Sequence, residues 1–132
     1  MVAKVSRMDG GSLEGITVAV LGLTFKANTD DLRGSPALEI SHRMNTRGAL
    51  LRGYDPAVHA AVEGVEVFDS AYSAVEGADI AVVLTEWDEF RWLDWDKMAE
   101  LMKSACVVDA RNLLDPALLR RCGFQYEGLV RI

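Results

Sequence analysis

The stretch Ile16-Thr17-Val18-Ala19-Val20-Leu21-Gly22 decides the fold. It is nearly continuous in β-branched and aliphatic residues, where a strand with one wet face would alternate apolar with polar. A strand buried on both faces belongs to a parallel sheet covered by helices. Gly22 closes the run, a polar loop extends from Thr24 to Ser35, and Pro36 opens a helix at its first turn.

Outward from this unit the same rhythm repeats. The helix after Pro36 carries Leu38, Ile40, Arg43 and Met44 on one expected apolar face and ends at Gly48. A second strand over 49–54 stops at the turn pair Asp55-Pro56. A short helical piece is expected next, then a third strand over 65–68. Ser70 can cap a helix over 71–76, and a second continuous apolar run predicts a fourth strand over 80–84. Asp94 can cap a helix reaching about residue 103. A fifth strand over 106–109, a helix opened by Asp115-Pro116 and a terminal strand over 124–126 complete the chain.

This alternation predicts an α/β, Rossmann-like three-layer sandwich with a doubly wound, mainly parallel six-stranded sheet in the order 3-2-1-4-5-6. Ligands of such sheets sit outside the carboxyl ends of the strands, at the switch point between strands one and four. Loops 23–35, 85–93 and 110–114 are therefore where chemistry is expected.

The 132 residues make one domain. They are 50% hydrophobic and 26% charged, which excludes disorder and low complexity. A formal net charge of −6 gives no generic footprint for nucleic acid or anionic membrane, so neither partner is expected. No apolar run reaches the roughly 18 residues of a membrane span, and the first residues lack a signal-peptide pattern. Cys106 and Cys122 are too few for a disulfide framework and lack metal spacing; Cys106 reads as a buried inert thiol, and the compartment as cytoplasmic.

The dinucleotide fingerprint fails, because Gly22 is followed by Leu23-Thr24-Phe25-Lys26 with no second or third glycine. The loop offers Lys26, Asn28, Thr29, Asp30, Asp31 and Arg33 instead. Lys26 suits a phosphate as a point charge, and Arg33 precedes a helix N-terminus that also favours an anion. A solvated loop with internally paired charges is the alternative. Arg111 follows the fifth strand, where its guanidinium can clamp a diphosphate or ribose, or pair with Asp109 or Asp115. Trp87, Phe90, Trp92 and Trp95 suit core filling better than stacking on a base. His42 and His59 read as surface residues. The pair Asp30-Asp31 with Thr85 suggests a phosphoryl-accepting receiver domain, but the lysine such a domain needs after its fifth strand is absent.

The run from Val20 to Ile40, with Leu21-Gly22-Leu23-Thr24-Phe25-Lys26 and Asp30-Asp31-Leu32-Arg33-Gly34-Ser35-Pro36, resembles the opening of the carboxyl-terminal domain of the UDP-glucose/GDP-mannose dehydrogenases. The likeness continues through Tyr54-Asp55-Pro56, Leu84-Thr85-Glu86-Trp87-Asp88-Glu89-Phe90 and Val108-Asp109-Ala110-Arg111-Asn112, over about residues 15 to 126. The Thr85-Glu86-Trp87 segment is more like the UDP-glucose members. The resemblance implies a full-length enzyme that oxidises UDP-glucose to UDP-glucuronate in two NAD-dependent steps, as a homodimer joined through a central helix. It implies that Phe25, Lys26 and Arg111 bind the UDP-sugar and that Arg33 reaches NAD across the domain cleft. No catalytic residue and no metal site is expected within this chain. NAD would be held mainly by another domain, and the chain alone is expected to be an inactive monomer.

Residues 1–11 are then expected to be the end of the linking helix, and 12–132 the nucleotide-sugar-binding domain. Gly34 stands where the family usually has an acidic residue, and the tail Gly128-Leu129-Val130-Arg131-Ile132 departs from its usual glycine-rich ending. A non-catalytic interaction module that keeps the fold without a nucleotide role is the competing reading.

Overall fold

A computed structural model describes residues 13–24, 32 and 34–128. The expected linking helix at 1–11 and the terminal residues 129–132 lie outside the described residues. The sheet contains β1 (Thr17–Leu21), β2 (Leu50–Tyr54), β3 (Val65–Val67), β4 (Ile80–Val83), β5 (Cys106–Asp109) and β6 (Gln125–Gly128). Its order is β3-β2-β1-β4-β5-β6, and every neighbouring pair is parallel. The expected doubly wound sheet is therefore present, with the reversal of direction falling between β1 and β4.

Alternation along β1 explains its unbroken apolar sequence. Val18 and Val20 pack on one face with Ala37 and Met44 of helix α1 (Pro36–Thr46). Ala19 and Leu21 point to the other face, into a core with α2 (Ala71–Val75), α3 (Trp95–Leu101) and α4 (Pro116–Arg121). All four β1 residues from Val18 to Leu21 are fully buried. The valine and leucine side chains among them each contribute about 1.5–3 kcal/mol by leaving water.

Ser70 and Asp94 cap where the sequence places them, and Ser35 and Asp115 cap the helices that begin at Pro36 and Pro116. The Ser35, Ser70, Asp94 and Asp115 side chains accept from the first-turn amides of α1, α2, α3 and α4. Gly22 is required by its surroundings, since its φ is +100° and an added Cβ would lie 2.4 Å from the Thr85 Cβ.

Four expectations need correction. No helix links β2 to β3: the segment holds two isolated antiparallel bridges, Asp55 with Val58 and Val62 with Val65. There the Asp55 carboxylate accepts the Ala57 amide at 2.8 Å, as Asp115 accepts the Ala117 amide at the start of α4, but the chain then folds back through the two bridges instead of continuing as a helix. The loop after β4 contains a 3₁₀ helix, Asp88–Trp92. On α1 the buried residues are Ala37, Ser41 and Met44, while Arg43 is exposed and pairs with Glu39 at 2.7 Å. Cys106 is only half-buried, because it opens β5 at the rim of the sheet and its thiol faces Gln125 of β6.

Candidate functional site

The carboxyl ends of β1, β2 and β4 converge on Asp55, the first residue past β2. Asp55 is fully buried, and its Oδ2 accepts from the Leu23 amide at 2.8 Å, the Thr24 amide at 3.0 Å and the Thr24 hydroxyl at 3.0 Å. The Trp87 indole adds a fourth bond at 3.1 Å. A buried carboxylate is tolerated only with such donors around it. The Thr85 hydroxyl donates to the Thr24 carbonyl at 3.1 Å, so the segment after β4 is tied to the same point.

The loop after β1 is fixed at both ends. Leu23 and Thr24 hang from Asp55, and the Ser35 hydroxyl donates to the Leu23 carbonyl at 2.8 Å while capping α1. Phe25, Lys26 and Arg33, the expected substrate- and NAD-contacting residues of this loop, lie outside the described residues. Arg111 is described, and it stands at the carboxyl end of β5.

Arg111 pairs with neither Asp109 nor Asp115 through its guanidinium. The Nε–H and one Nη2–H both donate to Glu86 Oε2, the first at 2.8 Å. Both side chains are partly exposed, at 45% for Arg111 and 41% for Glu86. Asp109, fully buried at the end of β5, shapes the turn that carries Arg111. It accepts the Arg111 amide at 3.2 Å, the Leu114 amide at 2.7 Å and the Tyr126 hydroxyl at 2.9 Å. Asn112 adopts a left-handed conformation in that turn, φ 52°, which asparagine tolerates better than most residues. Burial first, then the Asp109 charge and hydrogen bond, push the Tyr126 hydroxyl well above the usual tyrosine range.

Glu86 and Asp55 are the two residues that sequence reasoning underrated. Asp55 reads as half of a turn pair, although its place one residue past a strand puts it at the switch point. Glu86 is legible through register alone: β4 and β5 pair Val83 with Asp109, so residues just past each strand face one another. Of the aromatic cluster, Phe90 and Trp95 are buried and Trp87 is half-buried on Asp55, while Trp92 is 78% exposed. Trp92 lines an apolar cleft of about 390 Å³ with Arg91, Leu113 and Leu118, beyond the Arg111 turn. His42 and His59 are exposed, as expected.

Nicotinamide dinucleotides bind doubly wound sheets through free amides in the turn after the first strand. Here the Leu23 and Thr24 amides are taken by Asp55, and α1 is capped by Ser35. The described residues of this turn therefore do not fit a dinucleotide pyrophosphate. No group of three or more His, Cys, Asp or Glu among the described residues is placed to hold a metal ion. No helix among them is long and apolar enough to cross a membrane.

Sheet order, anchored loops and a guanidinium at the strand ends define a Rossmann-like α/β domain whose described residues in the turn after β1 do not fit a dinucleotide. The chain belongs to the UDP-glucose/GDP-mannose dehydrogenase family, whose UDP binding domain matches residues 19–116. It is 40% identical to the UDP-glucose 6-dehydrogenases of Rickettsia typhi and Rhizobium meliloti, over 98% and 99% of its length and 31% of theirs. The chain thus spans about a third of the length of these curated relatives, their C-terminal third. The NDP-N-acetyl-D-galactosaminuronic acid dehydrogenase of Methanosarcina mazei superposes with a TM-score of 0.82 at 29% identity, over 95% of this chain and 26% of that one.

Proposed function

We propose that this domain binds the UDP portion of a nucleotide sugar at the carboxyl ends of β1, β4 and β5. In that reading it is the substrate domain of an NAD-dependent UDP-glucose 6-dehydrogenase that forms UDP-glucuronate. The observation that carries the reading is Arg111, a guanidinium held by Glu86 at the strand ends, with β4 alone between its strand and the anchored base of the Phe25–Lys26 loop. The exposed edge of such a fork matches a diphosphate. Lys26 would supply a second charge and Phe25 a contact with the substrate, while Arg33 would reach NAD bound by the rest of the protein.

The family's chemistry needs groups brought together in one geometry, and this chain supplies only the substrate half. Turnover with UDP-glucose and NAD is therefore assigned to the whole protein, a cytoplasmic homodimer in this reading, with the chain alone an inactive monomer. Two charge-assisted contacts contribute about 1.5–3 kcal/mol each before ordering costs, which supports roughly millimolar UDP at best. An interaction module is less well supported, because Trp87 and Trp95 are committed within the fold: their indoles bond Asp55 and the Phe90 carbonyl.

The test is an NMR titration of the labelled chain with UDP, and with GDP and NAD as controls. UDP is expected to shift Phe25, Lys26 and Arg111. No response at millimolar UDP, or shifts confined to the Trp92 face, would remove the nucleotide role.

A further inference from the structure

Glu86 has no evident reason to be acidic if its only task is to follow a strand. An exposed carboxylate beside a cation meant for a phosphate would, by charge alone, oppose ligand binding. Three observations give it a different task.

First, its backbone is pinned on both sides. The Thr85 hydroxyl bonds the Thr24 carbonyl, and the Trp87 indole bonds Asp55, so Glu86 sits between two tethers to the base of the β1 loop. Its carboxylate therefore projects from a fixed support.

Second, the contact with Arg111 is one-edged. Nε–H and one Nη2–H converge on a single oxygen, Oε2. The opposite edge, Nη1 with the second Nη2–H, has no hydrogen-bond partner among the described residues. That is the edge available for a planar, bidentate grip on a phosphate.

Third, Arg111 rises from a turn whose amides are bound by the buried Asp109, so its main chain is fixed as well. What remains free is the long side chain, and ordering such a side chain opposes binding. Glu86 removes that freedom before the ligand arrives.

We infer that Glu86 is a positioning residue: it braces the inner edge of the Arg111 guanidinium so that the outer edge faces an anionic, diphosphate-type ligand. The inference rests on the substrate-binding reading of Arg111. Because the pair is partly exposed, water and salt screen the carboxylate's repulsion of the ligand, while the directional bonds persist. Bracing then outweighs repulsion. The hydrogen bonds of Thr85 and Trp87 also tie the segment that carries Glu86 to Thr24 and Asp55 at the base of the β1 loop.

The experiment compares wild type, Glu86→Ala, Glu86→Gln and Arg111→Ala by two NMR readouts. The ligand-free readout is the Arg111 Nε–H signal. It is expected to be protected from solvent exchange in wild type and in Glu86→Gln, whose amide oxygen still accepts, and to lose protection in Glu86→Ala. The second readout is titration with UDP. Glu86→Ala is expected to bind about 3- to 10-fold more weakly, the change carried by one immobilised flexible side chain. Glu86→Gln is expected to bind at least as tightly as wild type, since it keeps the brace and loses the repelling charge. A merely structural residue would not show this rescue by glutamine.

An unprotected Nε–H in wild type would overturn the brace while leaving UDP binding intact. Unchanged or tighter UDP binding in Glu86→Ala would make Glu86 a competitor of the ligand and overturn the inference too. Arg111→Ala titrating like wild type would instead remove Arg111 from the binding site, and the positioning role with it.

Discussion

The Trp87 indole donates to Asp55 Oδ2 at 3.1 Å, joining the segment after β4 to the end of β2 across the end of β1. The bond adds to three others on the same oxygen, so Asp55 gathers the ends of three strands at the edge where a ligand is proposed. Asp55→Ala would strand the Leu23, Thr24 and Ala57 amides and leave the indole only its longer bond to the Thr24 hydroxyl at 3.3 Å. Each unsatisfied buried donor costs about 1–3 kcal/mol, so a loss of about 3 kcal/mol or more is expected. Trp87→Phe, which removes one donor and leaves the carboxylate satisfied, should cost about 1–2 kcal/mol. Urea denaturation of both single variants and the double variant checks this, and the pair should be coupled rather than additive.

Gly22 supports a second prediction. An alanine there would carry its φ of +100° and press Cβ to 2.4 Å from the Thr85 Cβ. Left-handed strain of about 1–2 kcal/mol and overpacking of about 1–3 kcal/mol point to a loss of about 2–5 kcal/mol. Thr85 must move, and its bond to the Thr24 carbonyl should weaken. Chemical shifts of Thr24 and Thr85 should therefore change more in Gly22→Ala than those of α3. Stability within about 0.5 kcal/mol of wild type would show that the two strand ends separate freely.

The runs 17–21 and 80–83 were legible because burial on both faces leaves no room for polar alternation. The Ser70 and Asp94 caps were legible because each is a local bond between a side chain and an amide a few residues ahead. What escaped was not local. Asp55 acts on residues 31 and 32 positions away, and Glu86 on a residue 25 positions away. Those distances collapse only once β1, β2, β4 and β5 are in register. The helix expected after β2 is replaced by the bridges of Asp55 with Val58 and of Val62 with Val65, and Asp55-Pro56-Ala57 makes the same local bond that opens α4, so the local pattern does not separate the two outcomes. Of the predicted site residues, Arg111 is seen at the expected edge, with a partner that its own sequence neighbourhood did not contain.

The tryptophans offer a contrast within one short segment. Trp95 is 2% exposed, stacks edge-on against Phe124 at 5.5 Å between centroids and donates to the Phe90 carbonyl. Trp95→Ala should cost about 3–5 kcal/mol. Trp92 is 78% exposed and bonds only Asp88 of its own turn among the described residues. Trp92→Ala should leave stability within about 0.5 kcal/mol and shift the mean fluorescence emission to the blue, because the most solvated indole is gone. Thermal unfolding and emission spectra of the two variants separate the cases. A large loss on removing Trp92 would mean that the apolar cleft beside it is part of the core.

Two tyrosines, together with the Cys122 thiol that burial and then Asp96 push up, should shape the pH dependence of stability on the alkaline side. Burial, then Asp109, holds the Tyr126 hydroxyl well above its ordinary value of 10.0; burial, then Glu89, does the same to Tyr54. A folded-state value above the unfolded one means that the native state keeps its proton where the unfolded chain has lost it. The associated stability is thus fully present below pH 10 and falls as pH rises toward the folded value. Removing the Tyr126 hydroxyl leaves Asp109 Oδ2 with the Leu114 amide and costs about 1 kcal/mol near neutrality. It also removes one source of the alkaline decline. The stability curves of wild type and Tyr126→Phe should therefore converge above pH 10, with Tyr54 maintaining a residual slope in the variant. Urea midpoints between pH 8 and pH 11 check this, and parallel curves would show that Tyr126 ionises as freely in the fold as outside it.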